Sequence, residues 1–133
     1  MSKFIEIAVC GAHMRGLPLN YQLVELDATF VKATSTAQGY RLYEVPHKVP
    51  PRPGMVRDMS CEISLKLEVW KMPLENFGAF MIQIASPLCI GSVILEDGSV
   101  VYGFLCESDY ISNAIEISSF GGWRGYLESK KQL

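Results

Sequence analysis

A chain of 133 residues with a formal charge of −2 and a hydrophobic share of 49% fits one globular domain, residues 1–133. Such a length buries roughly 68% of the surface its unfolded form exposes, so no disulfide or metal staple is needed to hold a core. The charge balance offers no basic footprint for a nucleic-acid backbone or membrane surface, and no apolar run approaches the ~20 residues of a membrane-spanning helix.

The first segment, Phe4 to Cys10, is short, apolar and rich in β-formers, and it predicts a central strand that ends at Gly11. Gly11 to Leu17 reads as a loop. Pro18 suits a first helical turn, and Leu19, Leu23 and Leu26 at i, i+4, i+7 predict a helix over 18–26. Thr29 to Thr34 and Tyr40 to Val45 read as strands, the second stopped by Pro46. Pro46 to Asp58 holds four prolines and a glycine and predicts a stiff irregular loop.

From Cys61 to Met72 the residues alternate. Ile63, Leu65, Leu67 and Val69 face one way, while Glu68 and Trp70 belong to the polar side of a long strand. Leu74, Phe77, Met81 and Ile84 form a helical stripe after Pro73. Ile90 to Leu95 and Ser99 to Leu105, joined by Glu96-Asp97-Gly98, predict a hairpin. A short helix over 108–114 and a last helix over 122–127, docked through Trp123 and Tyr126, complete the chain, with a polar tail that frays. The order predicts an α+β fold with a small curled, mainly antiparallel β-barrel flanked by short helices. Its core is expected to hold Ile5, Ile7, Val9, Leu42, Leu65, Leu67, Val69, Phe77, Met81, Val93, Leu95, Phe104 and Trp123.

Cys10, Cys61, Cys89 and Cys106 form no CxxC pair, and their spacing matches no zinc pattern. They read as reduced core thiols, and with Met1-Ser2-Lys3 running straight into a strand the expected location is cytoplasmic. No metal and no cofactor is expected; the oligomeric state is left open.

The loop after the first strand is the first place where chemistry gathers. In a strand–glycine loop–helix order, orphan N–H groups collect and favour an anion such as a carboxylate or carbamate. Gly11, Ala12, Met14, Leu17 and Asn20 would shape this cradle, and His13 is the imidazole within it. The alternative is that the glycines allow tight turns and His13 is solvated. Arg52 and Arg57, on the Pro-rich segment, would be held over a pocket or stand in solvent. Glu68 becomes a candidate acid or base if its face lines an interior. His47 reads as an exposed loop residue.

The run from Ala8 to Leu23, which includes Gly11-Ala12-His13-Met14-Arg15-Gly16-Leu17-Pro18-Leu19-Asn20, resembles the opening of the allophanate hydrolase C-terminal domain. Tyr40-Arg41-Leu42-Tyr43, Pro53-Gly54-Met55-Val56-Arg57, Leu67-Glu68-Val69-Trp70, Pro87-Leu88-Cys89-Ile90-Gly91, Gly103-Phe104-Leu105-Cys106-Glu107 and Phe120-Gly121-Gly122-Trp123-Arg124 continue the similarity in order. The resemblance implies a γ-glutamylcyclotransferase-like fold. In that family the domain follows an amidase that hydrolyses allophanate, and it is assigned decarboxylation of the dicarboxylated amine product. The amidase half is absent here, and Ile84 to Leu88 lacks the carboxylate that cyclotransferases carry at the matching place.

The expected role is therefore assistance in decarboxylating an N-carboxylated urea or carbamate. Loop N–H groups would hold one carboxylate and Arg41 or Arg57 the other, His13 would give the proton, and Tyr40 and Glu68 would form the pocket wall. The rival expectation is a non-catalytic module that docks on a separately encoded amidase.

Overall fold

The computed structural model describes residues 3–131. Strand β1 (Phe4–Val9) leads through a loop to α1 (Asn20–Val24), then β2 (Thr29–Ser35), β3 (Tyr40–Val45), β4 (Arg52–Arg57) and β5 (Lys66–Pro73). A 3-10 turn (Leu74–Asn76) runs into α2 (Phe77–Met81), followed by β6 (Leu88–Ile94) and β7 (Val100–Cys106). After a 3-10 segment (Ser108–Asn113), β8 (Ile115–Glu116) and a second short turn lead to α3 (Trp123–Lys131).

The strands make two sheets, ordered β2-β5-β1-β7-β6 and β4-β3-β8. They do not close into the barrel expected from the sequence. β1 is the pivot: it pairs antiparallel with β5 and parallel with β7, so β1 and β7 are joined by long crossovers while the other ladders are antiparallel. The Asp-Gly hairpin forms as expected, with Leu95 N–H donating to the Ser99 carbonyl at 2.8 Å and Asp97 Oδ1 accepting from Ser99 N–H at 2.9 Å.

The Pro-rich segment is not an irregular loop throughout. Arg52 to Arg57 pairs residue by residue with β3, Pro53 standing opposite Glu44. This is an edge strand, where a proline with no N–H leaves no ladder bond broken. β5 begins at Lys66 rather than Cys61, because the N–H groups of Thr36 and Gly39 donate only single backbone bonds, to the Leu65 and Ile63 carbonyls, without a ladder. Pro18 and Leu19 precede α1 instead of opening it. α3 carries helix through to Lys131, past the point where fraying was expected.

One contiguous core contains Ile7, Val9, Leu42, Leu65, Leu67, Val69, Val93, Leu95, Phe104 and Trp123, as the periodicity implied. Ile5 and Phe77 are half-buried, and Met81 is exposed while its neighbour Phe80 is sealed. The 3-10 turn ahead of α2 has three residues per turn rather than 3.6, which shifts the phase and puts Phe80 inward. Trp70 and Glu68, expected on a polar face, are buried: β5 lies inside its sheet, so loops and α3 cover the second side. Among the described residues no helix is long and apolar enough to cross a membrane, and no metal-binding cluster forms.

Candidate functional site

β1 delivers the chain into a loop that closes on itself before α1. Met14 N–H donates to the Gly11 carbonyl at 3.0 Å, Leu17 N–H to Met14 at 3.1 Å, and Leu19 N–H to Ala12 at 2.9 Å. The Asn20 side-chain amide donates to the His13 carbonyl at 2.8 Å. Gly11 is required by proximity, since a Cβ there would stand 2.4 Å from Pro53 Cδ, so only glycine lets β4 approach this loop. Gly11, Ala12, Met14, Leu17 and Asn20 thus build the loop itself, and the N–H groups of Met14 and Leu17 are spent within it.

The loop directs two side chains into two different neighbourhoods. His13 turns inward and is 5% exposed. Its ring meets Phe104 and Phe80 edge-on, at centroid distances of 4.8 and 5.5 Å. Nε2 lies 2.7 Å from Gln22 Oε1; because that oxygen only accepts, Nε2 carries the proton and Nδ1 the lone pair. Burial pushes the His13 pKa down to about 4, the bond to Gln22 opposing and the charge of Arg52 adding, so the ring is neutral at pH 7. The aromatic pair and Gln22 draw the imidazole inward, and it does not line the cavity described next.

Arg15, two residues on, turns outward over Glu68. Glu68 is 2% exposed and accepts four hydrogen bonds. Arg15 N–H and Trp70 Nε1 donate to Oε1 at 2.9 and 3.1 Å; Arg15 Nε and an Arg124 terminal nitrogen donate to Oε2 at 3.3 and 3.0 Å. The anion at the loop N–H of Arg15 is thus the chain's own carboxylate. Burial raises the Glu68 pKa, but the Arg15 N–H, the indole and the two guanidiniums outweigh it, and the net shift is downward. A cavity of about 520 Å³ opens over this cluster. Met14, Arg15, Glu68 and the Gly121–Gly125 stretch at the start of α3 are among its walls.

The other expected residues stand elsewhere and do not line that cavity. Tyr40 is sealed in the core, its hydroxyl oxygen accepting from Ile94 N–H at 2.9 Å and from Arg57 at 3.2 Å. Arg57 also lies over the Tyr40 ring. Arg41 is committed to Asp58 and Glu116 at 2.7 and 2.8 Å, tying β3 to β8. These contacts occupy the guanidiniums expected to neutralise a ligand. Gln22 and Arg124 were missed by the sequence reading; Arg124 was visible only as one letter of a glycine–tryptophan block whose role looked structural.

Comparison with known proteins identifies the family. Residues 5–128 match the family described as the allophanate hydrolase C-terminal domain. The chain is 41% identical over 135 aligned positions to urea amidolyase of Saccharomyces cerevisiae and 39% identical to that of Lachancea kluyveri; the alignments cover 98% and 96% of it. It spans only 7% of the length of those relatives. Kluyveromyces lactis allophanate hydrolase superposes with a TM-score of 0.92 at 37% identity, covering 96% of this chain and 21% of that one. A uropathogenic E. coli-specific protein superposes at 0.88 with 33% identity, covering 95% of this chain and 97% of that one. A gamma-glutamyl cyclotransferase, 14% identical with a TM-score of 0.56, shares the fold, covering 78% of this chain and 67% of its own. Carrying the family's sequence over nearly its whole length and its architecture in three dimensions, the chain belongs to the allophanate hydrolase C-terminal domain family.

Proposed function

We propose that the chain serves urea- and allophanate-type nitrogen metabolism as the component that releases carbon dioxide from an N-carboxylated urea or carbamate. The observation that carries this reading is the His13 ring, held in the loop after β1 by its Nε2 contact with Gln22 and close enough to Arg52 to feel its charge. The names of the relatives, urea amidolyase and allophanate hydrolase, support the substrate class.

In a carbamate, the carbon–nitrogen bond breaks once the nitrogen takes up a proton. The bonding pair stays on nitrogen and the carboxylate departs as carbon dioxide, so carbamate plus one proton gives amine plus carbon dioxide. At pH 7 His13 does not hold that proton at rest. Its Nδ1 lone pair takes one from solvent, and burial together with Arg52 makes the imidazolium unfavourable, so the proton passes readily to the substrate nitrogen. Arg52, half-buried and braced on the Pro50 carbonyl, would pair with a carboxylate of the ligand.

The test supplies allophanate to an amidase lacking this domain, with and without the purified chain, and follows carbon dioxide release. The chain is expected to accelerate release, His13→Ala to remove about 10²–10⁴-fold of that acceleration, and His13→Asn to behave like His13→Ala because it keeps a polar group but relays no proton. Full acceleration by His13→Ala overturns the reading.

A second reading rests on a different observation: the matching domain is 21% of a longer allophanate hydrolase chain. On this reading the chain docks on and steadies a separately encoded amidase. Co-elution with the amidase, unaffected by either His13 variant, is its expected signature.

A further inference from the structure

The cavity over Glu68 lies apart from His13, and nothing in the proposed reaction uses it. We infer that it is a binding site for a small organic carboxylate with an apolar body, held by the paired guanidiniums of Arg15 and Arg124.

Glu68 has both oxygens filled by the chain's own donors, so it has no capacity left for a ligand. It serves instead to aim two guanidiniums. Its side chain is 3% exposed, while those of Arg15 and Arg124 are 53% and 50% exposed. Each guanidinium therefore spends one edge inward and turns the other toward solvent. Both are fixed: Arg15 lies 3.8 Å from the centroid of the Phe30 ring, and Arg124 also donates to the Arg15 carbonyl at 2.7 Å. Two half-exposed forks held side by side are pre-organised for a carboxylate, with little side-chain entropy left to lose on binding.

The charge count agrees. Among the lining residues Arg15, Lys66 and Arg124 stand against Glu68 and Glu96, three cations to two carboxylates, so the site carries one net positive charge. Its apolar wall is Leu67, Phe120 and Trp123, which suits a hydrocarbon or aromatic body rather than a bare inorganic anion. Gly121, at φ 80, closes the rim without a side chain; a Cβ there would meet no neighbour, so the requirement is the left-handed backbone that keeps the mouth low. The volume of about 520 Å³ lies within the ~300–1,000 Å³ of small-molecule sites.

Both tryptophans of the chain report on this site, Trp123 as part of its wall and Trp70 through its bond to Glu68. The experiment titrates benzoate into the purified chain and follows intrinsic fluorescence, with benzylamine and inorganic phosphate as comparison probes. A saturable change with benzoate and none with benzylamine is expected. Arg124→Gln, checked for folding by circular dichroism, is expected to weaken benzoate about tenfold or more. If that variant does not fold, Arg124→Lys, which keeps the charge and loses the fork, takes its place and is expected to weaken benzoate several-fold. No saturable response to benzoate, an unchanged affinity in the folded variant, or tighter saturation by phosphate than by benzoate overturns the inference. The titration reads binding and not turnover, so it stands or falls apart from the decarboxylation reading.

Discussion

Arg15 and Glu68 are joined twice across 53 positions of sequence: the main-chain N–H of Arg15 donates to Oε1 at 2.9 Å and its Nε to Oε2 at 3.3 Å. The first bond positions the loop after β1; the second positions a guanidinium. A side chain that anchors both backbone and charge couples the stability of the fold to the shape of the cavity above it.

Glu68→Ala is therefore expected to cost about 2–3 kcal/mol, measured by chemical denaturation. It removes the acceptors of the Arg15 N–H and the Trp70 indole. The figure falls below that of a sealed ion pair because both arginine partners remain half in water. A cost under about 0.5 kcal/mol would contradict the anchoring role.

The same carboxylate imposes a pH dependence. Its folded pKa lies below the ordinary value, so its contribution is complete above the unfolded carboxylate range near pH ~4.3 and is lost as pH falls through the lower folded value. The stability difference between the natural chain and Glu68→Gln should stay constant from neutral pH down to the unfolded pKa and shrink below it. A difference that holds undiminished through strong acid would rule this out.

His13 acts with the same sign, in a higher pH window. Its folded pKa of about 4 lies below the unfolded value near ~6.5, so the unfolded chain binds more protons between them and stability falls as pH drops through that window. The full effect is about 3 kcal/mol. Thermal melts of His13→Gln should lose less stability than the natural chain between those two values; parallel melting curves would show that the ring does not titrate as its burial requires.

Close approach and open space separate two glycine substitutions. Gly11→Ala drives a Cβ to 2.4 Å from the rigid Pro53 ring and is expected to destabilise by about 1–3 kcal/mol. Gly78→Ala sits in α2 with nothing within 4 Å and is expected to stabilise by about 0.5–1 kcal/mol. Melting temperatures moving in the same direction for both would refute the packing argument.

The thiols of the folded chain should be sluggish. Burial pushes the Cys10 pKa up to about 12 and that of Cys106 to about 11, and Cys61 is also buried. With an aromatic disulfide reagent at mildly alkaline pH, the four cysteines should react rapidly only after denaturation, half-buried Cys89 leading in the native state. Fast native labelling of Cys10 would contradict its burial.

Periodicity alone located most strands, because a side chain every second residue must match the dry face of a sheet: Leu65, Leu67 and Val69 are where alternation puts them. It also marked the hairpin at Asp97-Gly98, where the backbone demand is local. The order of motifs was enough for the family, since Gly11 to Asn20 and the blocks after it are read without any knowledge of contacts. Tertiary structure decided the rest. β4 hid behind Pro53 because a proline is excluded from a strand only where its missing N–H would face a partner, and edge position is not written in the segment. Glu68 and Trp70 looked solvent-facing because alternation tells two faces of β5 apart but not whether the second is covered. The loop around His13 stood out by its residue types, yet whether the imidazole points to solvent or to Phe80, Phe104 and Gln22 depends on what packs opposite it. The cluster of Arg15, Glu68 and Arg124 joins three distant segments, and a buried carboxylate finds its cations only when the folded backbone brings them within hydrogen-bond reach.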